Sequence, residues 1–99
     1  MKLLRRALPL ALLLCSLASA DDLDHEEAMA LRQSGEIVAL EQVLGEAMSR
    51  HPGARLLEVE LEREHGQLIY EIELLTTAGV VRELTFDARS GQLTSDEVD

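Results

Sequence analysis

The sequence predicts an α+β domain in which one or two N-terminal helices pack on one face of a three- to four-stranded antiparallel meander sheet. Three observations carry that reading. Leu40, Val43, Leu44, Ala47 and Met48 recur at i, i+3, i+4, i+7 and i+8, the apolar stripe of a helix. Leu57, Val59 and Leu61 alternate instead with Glu58, Glu60, Glu62 and Glu64, the period of two expected of a half-buried strand. After that run, short glycine-containing breaks at His65-Gly66, Thr77-Ala78-Gly79 and Asp87-Ala88-Arg89-Ser90-Gly91 stand close enough together to link strands as hairpins. Helices followed by consecutive strands is the order of an α+β arrangement, with one sheet face covered and the other wet.

The chain opens with Lys2, Arg5 and Arg6, an almost wholly apolar run from Ala7 to Leu17, and the small residues Ala18-Ser19-Ala20 ahead of Asp21. These are the three parts of a secretory signal peptide, so residues 1–20 read as a cleavable export signal. The apolar run is too short for a spanning helix, which needs about 20 such residues. Residues 21–36 read as an acidic leader and a short helix. Asp24-x-x-Glu27 has the spacing of a capping box, the helix continues through Ala28, Met29, Ala30 and Leu31 to Gln33, and Ser34-Gly35 ends it.

Residues 37–99 hold the rest of the fold. In the second helix Glu41, Gln42 and Glu46 take the wet side and Glu46 stands four residues before Arg50. Arg50 and His51 lie at the negative end of its dipole, and Pro52-Gly53 stops it. The start of this helix lacks a Ser, Thr or Asp cap. The first strand places Leu57, Val59 and Leu61 inward and its glutamates outward. The second places Leu68, Tyr70, Ile72 and Leu74 on one face and Ile69, Glu71, Glu73 and Leu75 on the other. The third, Val80 to Asp87, points Leu84 and Phe86 inward and Glu83 outward, and Gln92-Leu93-Thr94 adds a short fourth before an acidic tail.

Without residues 1–20 the chain keeps no cysteine and sets six basic against nineteen acidic residues, a formal charge of −13. Such a polyanion is repelled by nucleic acid and by anionic lipid and attracted to basic protein surfaces or divalent cations. Its length suffices for one modest core, at the size where a domain buries around 60% of its unfolded surface.

From about Leu40 to Thr94 the sequence resembles the PepSY domain family. The resemblance lies in the helix ending His51-Pro52-Gly53, the strand Leu57-Glu58-Val59-Glu60-Leu61-Glu62, the strand centre Tyr70-Glu71-Ile72, and Asp87-Ala88-Arg89-Ser90-Gly91. That last turn is similar to the family's Asp-Ala-x-Thr-Gly turn, with serine keeping the hydroxyl. The resemblance implies a helix on a small antiparallel sheet. It also implies a role outside the cytoplasm in restraining a peptidase or modulating a partner, as in the propeptides of thermolysin-like proteases. It brings no catalytic residues with it.

The row Glu58, Glu60, Glu62, Glu64, with Glu71 and Glu73 on the facing strand and Glu83 on the third, is the candidate partner-binding surface. Like charges opposite one another destabilise a sheet, so this many on one face is not what stability alone selects. A docking face for a basic partner is one reading; a solvated face that discourages edge pairing is the plainer one. Calcium takes carboxylate oxygens, but from ligands that converge from a loop, and these line flat strands. His25, His51 and His65 fall at a helix start, a helix end and a turn, which reads as capping or surface rather than zinc. There is no cysteine nucleophile after residue 20, no Gly-x-Ser-x-Gly elbow and no phosphate-binding glycine loop, so the reading is not an enzyme and takes no cofactor.

The expectation is therefore a periplasmic regulatory module that contacts a peptidase or sensor domain, exported or membrane-anchored, through its acidic face or an exposed strand edge. It would not insert into the membrane once its signal is removed. The alternative is an acidic, divalent-cation-binding protein of the periplasm.

Overall fold

Turn chemistry fixes the meander. The structure is a computed structural model that describes residues 20–99. In it β2 (Arg55–Glu64) and β3 (Gln67–Leu75) are joined by the two residues His65 at φ 50 and Gly66 at φ 80. Positive φ at both central positions is the hairpin geometry whose twist matches that of the flanking strands. β3 turns into β4 (Val81–Asp87) where the Thr76 amide donates to the Val80 carbonyl at 2.8 Å. β4 turns into β5 (Leu93–Val98) where Asp87 Oδ1 accepts from the Arg89 and Ser90 amides at 2.8 and 3.0 Å. Gly91 closes that turn at φ +79, a backbone conformation that favours glycine.

Two helices precede the meander, α1 (His25–Gln33) and α2 (Leu40–Arg50). Asp24 caps α1 by accepting from the Glu27 amide at 2.8 Å; the Glu27 carboxylate pairs with Arg63 of β2 rather than closing the box. As its sequence implies, α2 starts at Ala39 without a side-chain cap and carries the Glu46–Arg50 pair at 3.0 Å. Val43 and Ala47 are its fully buried residues and meet Leu68, Tyr70, Ile72 and Leu74 of β3 and Leu84 and Phe86 of β4 in one core. Burying side chains of this size contributes roughly 1.5–3 kcal/mol each, which makes this layer the source of the domain's stability. The Tyr70 hydroxyl donates to the Val38 carbonyl at 2.7 Å, so its polar end is satisfied inside the core.

With an edge strand β1 (Ala20–Asp22) beside β2, the sheet has the order β1-β2-β3-β4-β5, all pairs antiparallel. The strands after α2 follow the expected meander, and three details differ. The acidic leader supplies β1, an additional edge strand paired with Glu62 to Glu64. Leu57, expected inward, is 45% exposed because the register slips between Leu56/Leu74 and Glu58/Glu73. That bulge inserts Leu57 as an unpaired residue and lets Leu56 take the place opposite Leu74. The expected acidic tail is strand as far as Val98, with a second bulge at Thr94, and the Asp99 amide still reaches the Val81 carbonyl at 2.9 Å.

The expected export signal lies outside the described residues except for Ala20, which is in β1. No described helix is long and apolar enough to cross a membrane.

Candidate functional site

The face of the sheet turned away from α2 gathers the carboxylates. Cross-strand register places Glu58, Glu73, Glu83 and Glu97 in one row over four strands. Glu60 and Glu71 lie opposite each other in the next row, and Asp22 and Glu62 in the one after. Six of the glutamates picked from the sequence (Glu58, Glu60, Glu62, Glu71, Glu73 and Glu83) thus come together, while Glu64 stands at the hairpin end opposite Gln67. Asp22, Glu97 and Asp99 join them from the leader and the tail. Alternation could have placed Glu97 once the tail was known to be strand; nothing in three leader residues announces β1.

This face is less wet than alternation implied. Glu58 is exposed, but Glu60, Glu62, Glu64, Glu71 and Glu83 are half-buried and Glu73, in the central strand, is only 9% exposed. Crowding changes the acid–base chemistry. Burial, then the charges of Glu71, Glu60 and Asp22, push the Glu62 carboxyl up to about 8, so at neutral pH it holds its proton for the most part. Burial followed by Asp22 and Glu58 raises Glu60 as well, while a hydrogen bond with Glu62 works against the rise. Glu60 and Glu62 therefore share protons instead of standing as two free anions. Two groups of three carboxylates, Asp22 with Glu60 and Glu62, and Glu73 with Glu83 and Asp99, bring ligand oxygens within 4.8 Å of one another.

The opposite face carries two further features. Between α1, the start of α2 and β2 lies a cavity of about 380 Å³ lined by Leu23, Met29, Val59, Leu61 and Tyr70, with Arg32 among its polar lining residues. Burial raises the Tyr70 phenol above its ordinary value. At the other end of α2, His51 Nε2 lies 2.8 Å from Asp96 Oδ2, and Arg82 Nε donates to Asp96 Oδ1 at 2.8 Å. A second Arg82 donor reaches the Asp96 carbonyl at 2.9 Å. Burial alone would raise the Asp96 carboxyl, but the His51 and Arg82 hydrogen bonds outweigh it and hold it below the usual carboxylate range. His51 is thus no simple surface cap: it fastens the helix end to the last strand. Its partner lies 45 residues away in what alternation left as tail.

Asp87, the first residue of the turn singled out in the sequence, is held below the usual range chiefly by the Ser90 amide. That is turn chemistry, with the carboxylate doing the work of a backbone acceptor.

A helix laid on an antiparallel meander, with an acidic outer face and a half-open groove at one sheet edge, defines a small α+β domain whose chemistry is that of surfaces. The family model for the peptidase propeptide and YPEB domain, PepSY, matches residues 37–97. The chain belongs to the PepSY family. The match runs from Ile37, which enters the core just before α2, to Glu97 in β5, so it takes in the whole helix-and-meander unit and leaves β1 and α1 outside. No curated protein and no solved structure matches the chain.

Proposed function

We propose that this domain is a non-catalytic regulatory module of the periplasm that restrains or modulates another exported or membrane-anchored protein, a peptidase or a sensor domain, by direct contact. The observation that carries the reading is the carboxylate row across four strands, Glu58-Glu73-Glu83-Glu97, in which like charges stand directly opposite one another. A partner with a basic surface relieves that repulsion on binding, and membership of a family described by peptidase propeptides supports the same kind of role. Association through such a face falls with ionic strength, because surface charges are screened beyond about 8 Å at physiological salt. The test is crosslinking and pull-down from a periplasmic extract at low and high salt, with Glu58→Lys/Glu83→Lys protein as control. Recovery of one exported protein at low salt, lost with the charge reversal, is expected; recovery of none at either salt overturns the reading.

A second reading rests on the two carboxylate groups. Each could offer oxygens to a divalent cation. It stands second because the groups lie along strands and no loop brings further ligands to them. Calorimetry with calcium and magnesium decides it, since absence of heat at millimolar metal removes it.

A further inference from the structure

We propose that the open edge of β2 is a strand-addition site, taking an extended segment of a partner protein that alternates basic and apolar residues. The inference rests on the regulatory reading above and names where and how such a partner would seat. β2 runs from Arg55 to Glu64, but β1 covers only Glu62, Arg63 and Glu64 on its outer side. Beyond them the Leu23 amide reaches the Leu61 carbonyl at 3.0 Å, and the chain then leaves the sheet to begin α1. Among the described residues no strand lies beside Arg55 to Glu60. Since Leu61 turns its carbonyl to this edge, Val59, two residues earlier in the same unbroken stretch, turns its own amide and carbonyl the same way. Such an edge is a ready template for another strand.

Side chains on both faces favour one occupant. A segment continuing the line of β1, antiparallel to β2, would set successive residues opposite Glu60, Val59 and Glu58. The residue opposite Val59 would point to the α2 side, over the cavity that Val59 and Leu61 line with Leu23 and Met29. Its two neighbours would point to the other face, beside Glu60 and Glu58. An apolar residue between two basic ones matches all three positions, with the main chain giving affinity and the alternating side chains giving selection.

The neighbourhood agrees. Of the four large apolar residues that the described part of the chain leaves exposed, Met29, Leu56 and Leu57 flank this edge and groove; only Val98 lies elsewhere. A second copy of the chain is disfavoured as occupant. Pairing β2 against β2 would set two rows of glutamates side by side, and like charges directly opposite are destabilising. Between Leu56 and Glu62 the edge carries neither lysine nor proline; its guards are the bulge at Leu57 and the glutamates, which leave the regular stretch from Glu58 to Leu61 open and select its partners by charge.

The experiment uses 15N-labelled protein as purified from cells and a capped hexapeptide of alternating Lys and Val. Controls are its Glu-for-Lys counterpart and a form N-methylated at alternate amides. Expected are amide shifts concentrated at Leu56 to Leu61 and Met29, saturable with the Lys-Val peptide and absent with the other two. Glu58→Lys/Glu60→Lys protein, with an unchanged spectrum elsewhere, should bind the Lys-Val peptide about tenfold more weakly and acquire binding of the Glu-Val one. Val59→Pro, which removes a donor that β3 does not use, should abolish both. Equal binding of the N-methylated peptide, shifts centred on another surface, or a dimer mass without peptide would each overturn the proposal. If the natural partner is captured equally by wild-type and Val59→Pro protein, the edge inference fails and the regulatory reading stands. If peptide binds but no partner is recovered, the reverse holds.

Discussion

Glu83 and Leu84 are neighbours on β4 and live in different chemical worlds. Leu84 points to α2, is fully buried and shares its pocket with Phe86, Ile72 and Val43. Glu83 points the other way, opposite Glu73 and Glu97, in a row where like charges stand side by side. One face gathers side chains that water expels; the other holds together groups that repel. The difference locates stability on the helix side and leaves the acidic side free to be shaped by something other than folding. A surface that folding does not require is where contact with another molecule is expected to have left its mark.

The largest effect should come from breaking the helix side. Phe86→Ala removes a fully buried ring from the centre of the core and should cost about 3–5 kcal/mol. Against a total of about 5–15 kcal/mol for a domain, that moves the urea midpoint far down or leaves no folded baseline at all. Glu83→Gln, three residues away on the same strand and on its other face, should leave the midpoint within about 0.5 kcal/mol of wild type or raise it. If the two substitutions destabilise alike, the division between the faces is wrong.

Which of these features could be read from the chain follows from how local their causes are. The alternation Leu68, Tyr70, Ile72, Leu74 and the His65-Gly66 turn are written within a few residues and are found as read. The shared face of Glu58, Glu60, Glu62, Glu71, Glu73 and Glu83 follows from the same alternation plus hairpin order. The bulge at Leu57 is different. Two consecutive leucines fit either register, and the choice belongs to the partner strand, where Leu74 and Glu73 lie opposite Leu56 and Glu58. The extension of β5 beyond Thr94 is hidden for a related reason. Asp96 pairs with Leu84 on the helix side, where a lone carboxylate would be costly, and is acceptable only because Arg82 and His51 reach it from 14 and 45 residues away. The groove, likewise, exists because α1 caps at Asp24 and crosses β2 through Glu27–Arg63 while burying no residue of its own.

That helix-side carboxylate gives the middle-sized effect. Asp96→Ala removes the carboxylate that Arg82 and His51 share and leaves Arg82 only the main-chain carbonyl, and hydrogen bonds to charged groups at part-buried sites contribute about 1.5–3 kcal/mol. The variant should lose about 2 kcal/mol in urea at pH 7 and show β5 amides exchanging faster than those of β3. The pH dependence has a definite sign. Asp96 has a folded pKa depressed below 3.8, so its contribution is present above that value and is lost as pH falls through the lower, folded one. The gap between wild type and Asp96→Ala should accordingly be widest above pH 4 and close in stronger acid. A gap that does not narrow there would mean that packing, not the ion pair, holds β5.

The smallest effect belongs to the acidic face and has the opposite sign. Glu62 has a folded value of about 8 against 4.5 unfolded, so the native state binds the extra proton between those limits. Stability then falls as pH rises from about 4.5 to about 8 and levels off above, the reverse of the usual carboxylate behaviour. Glu62→Gln, which keeps the shape and removes the charge, should match wild type near pH 5 and exceed it above pH 8. The gain should be about 1 kcal/mol, because solvent screening at this half-buried site leaves only a fraction of the several kcal/mol that so large a rise in proton affinity corresponds to. Thermal melts across pH 5 to 9 measure it. Added salt should narrow the difference, because screening weakens the repulsion from Asp22, Glu60 and Glu71 that raises the proton affinity. A wild-type Tm that climbs steadily from pH 5 to 9 would show those carboxylates already relieved of one another, and the repulsion that a basic partner was to discharge would be gone.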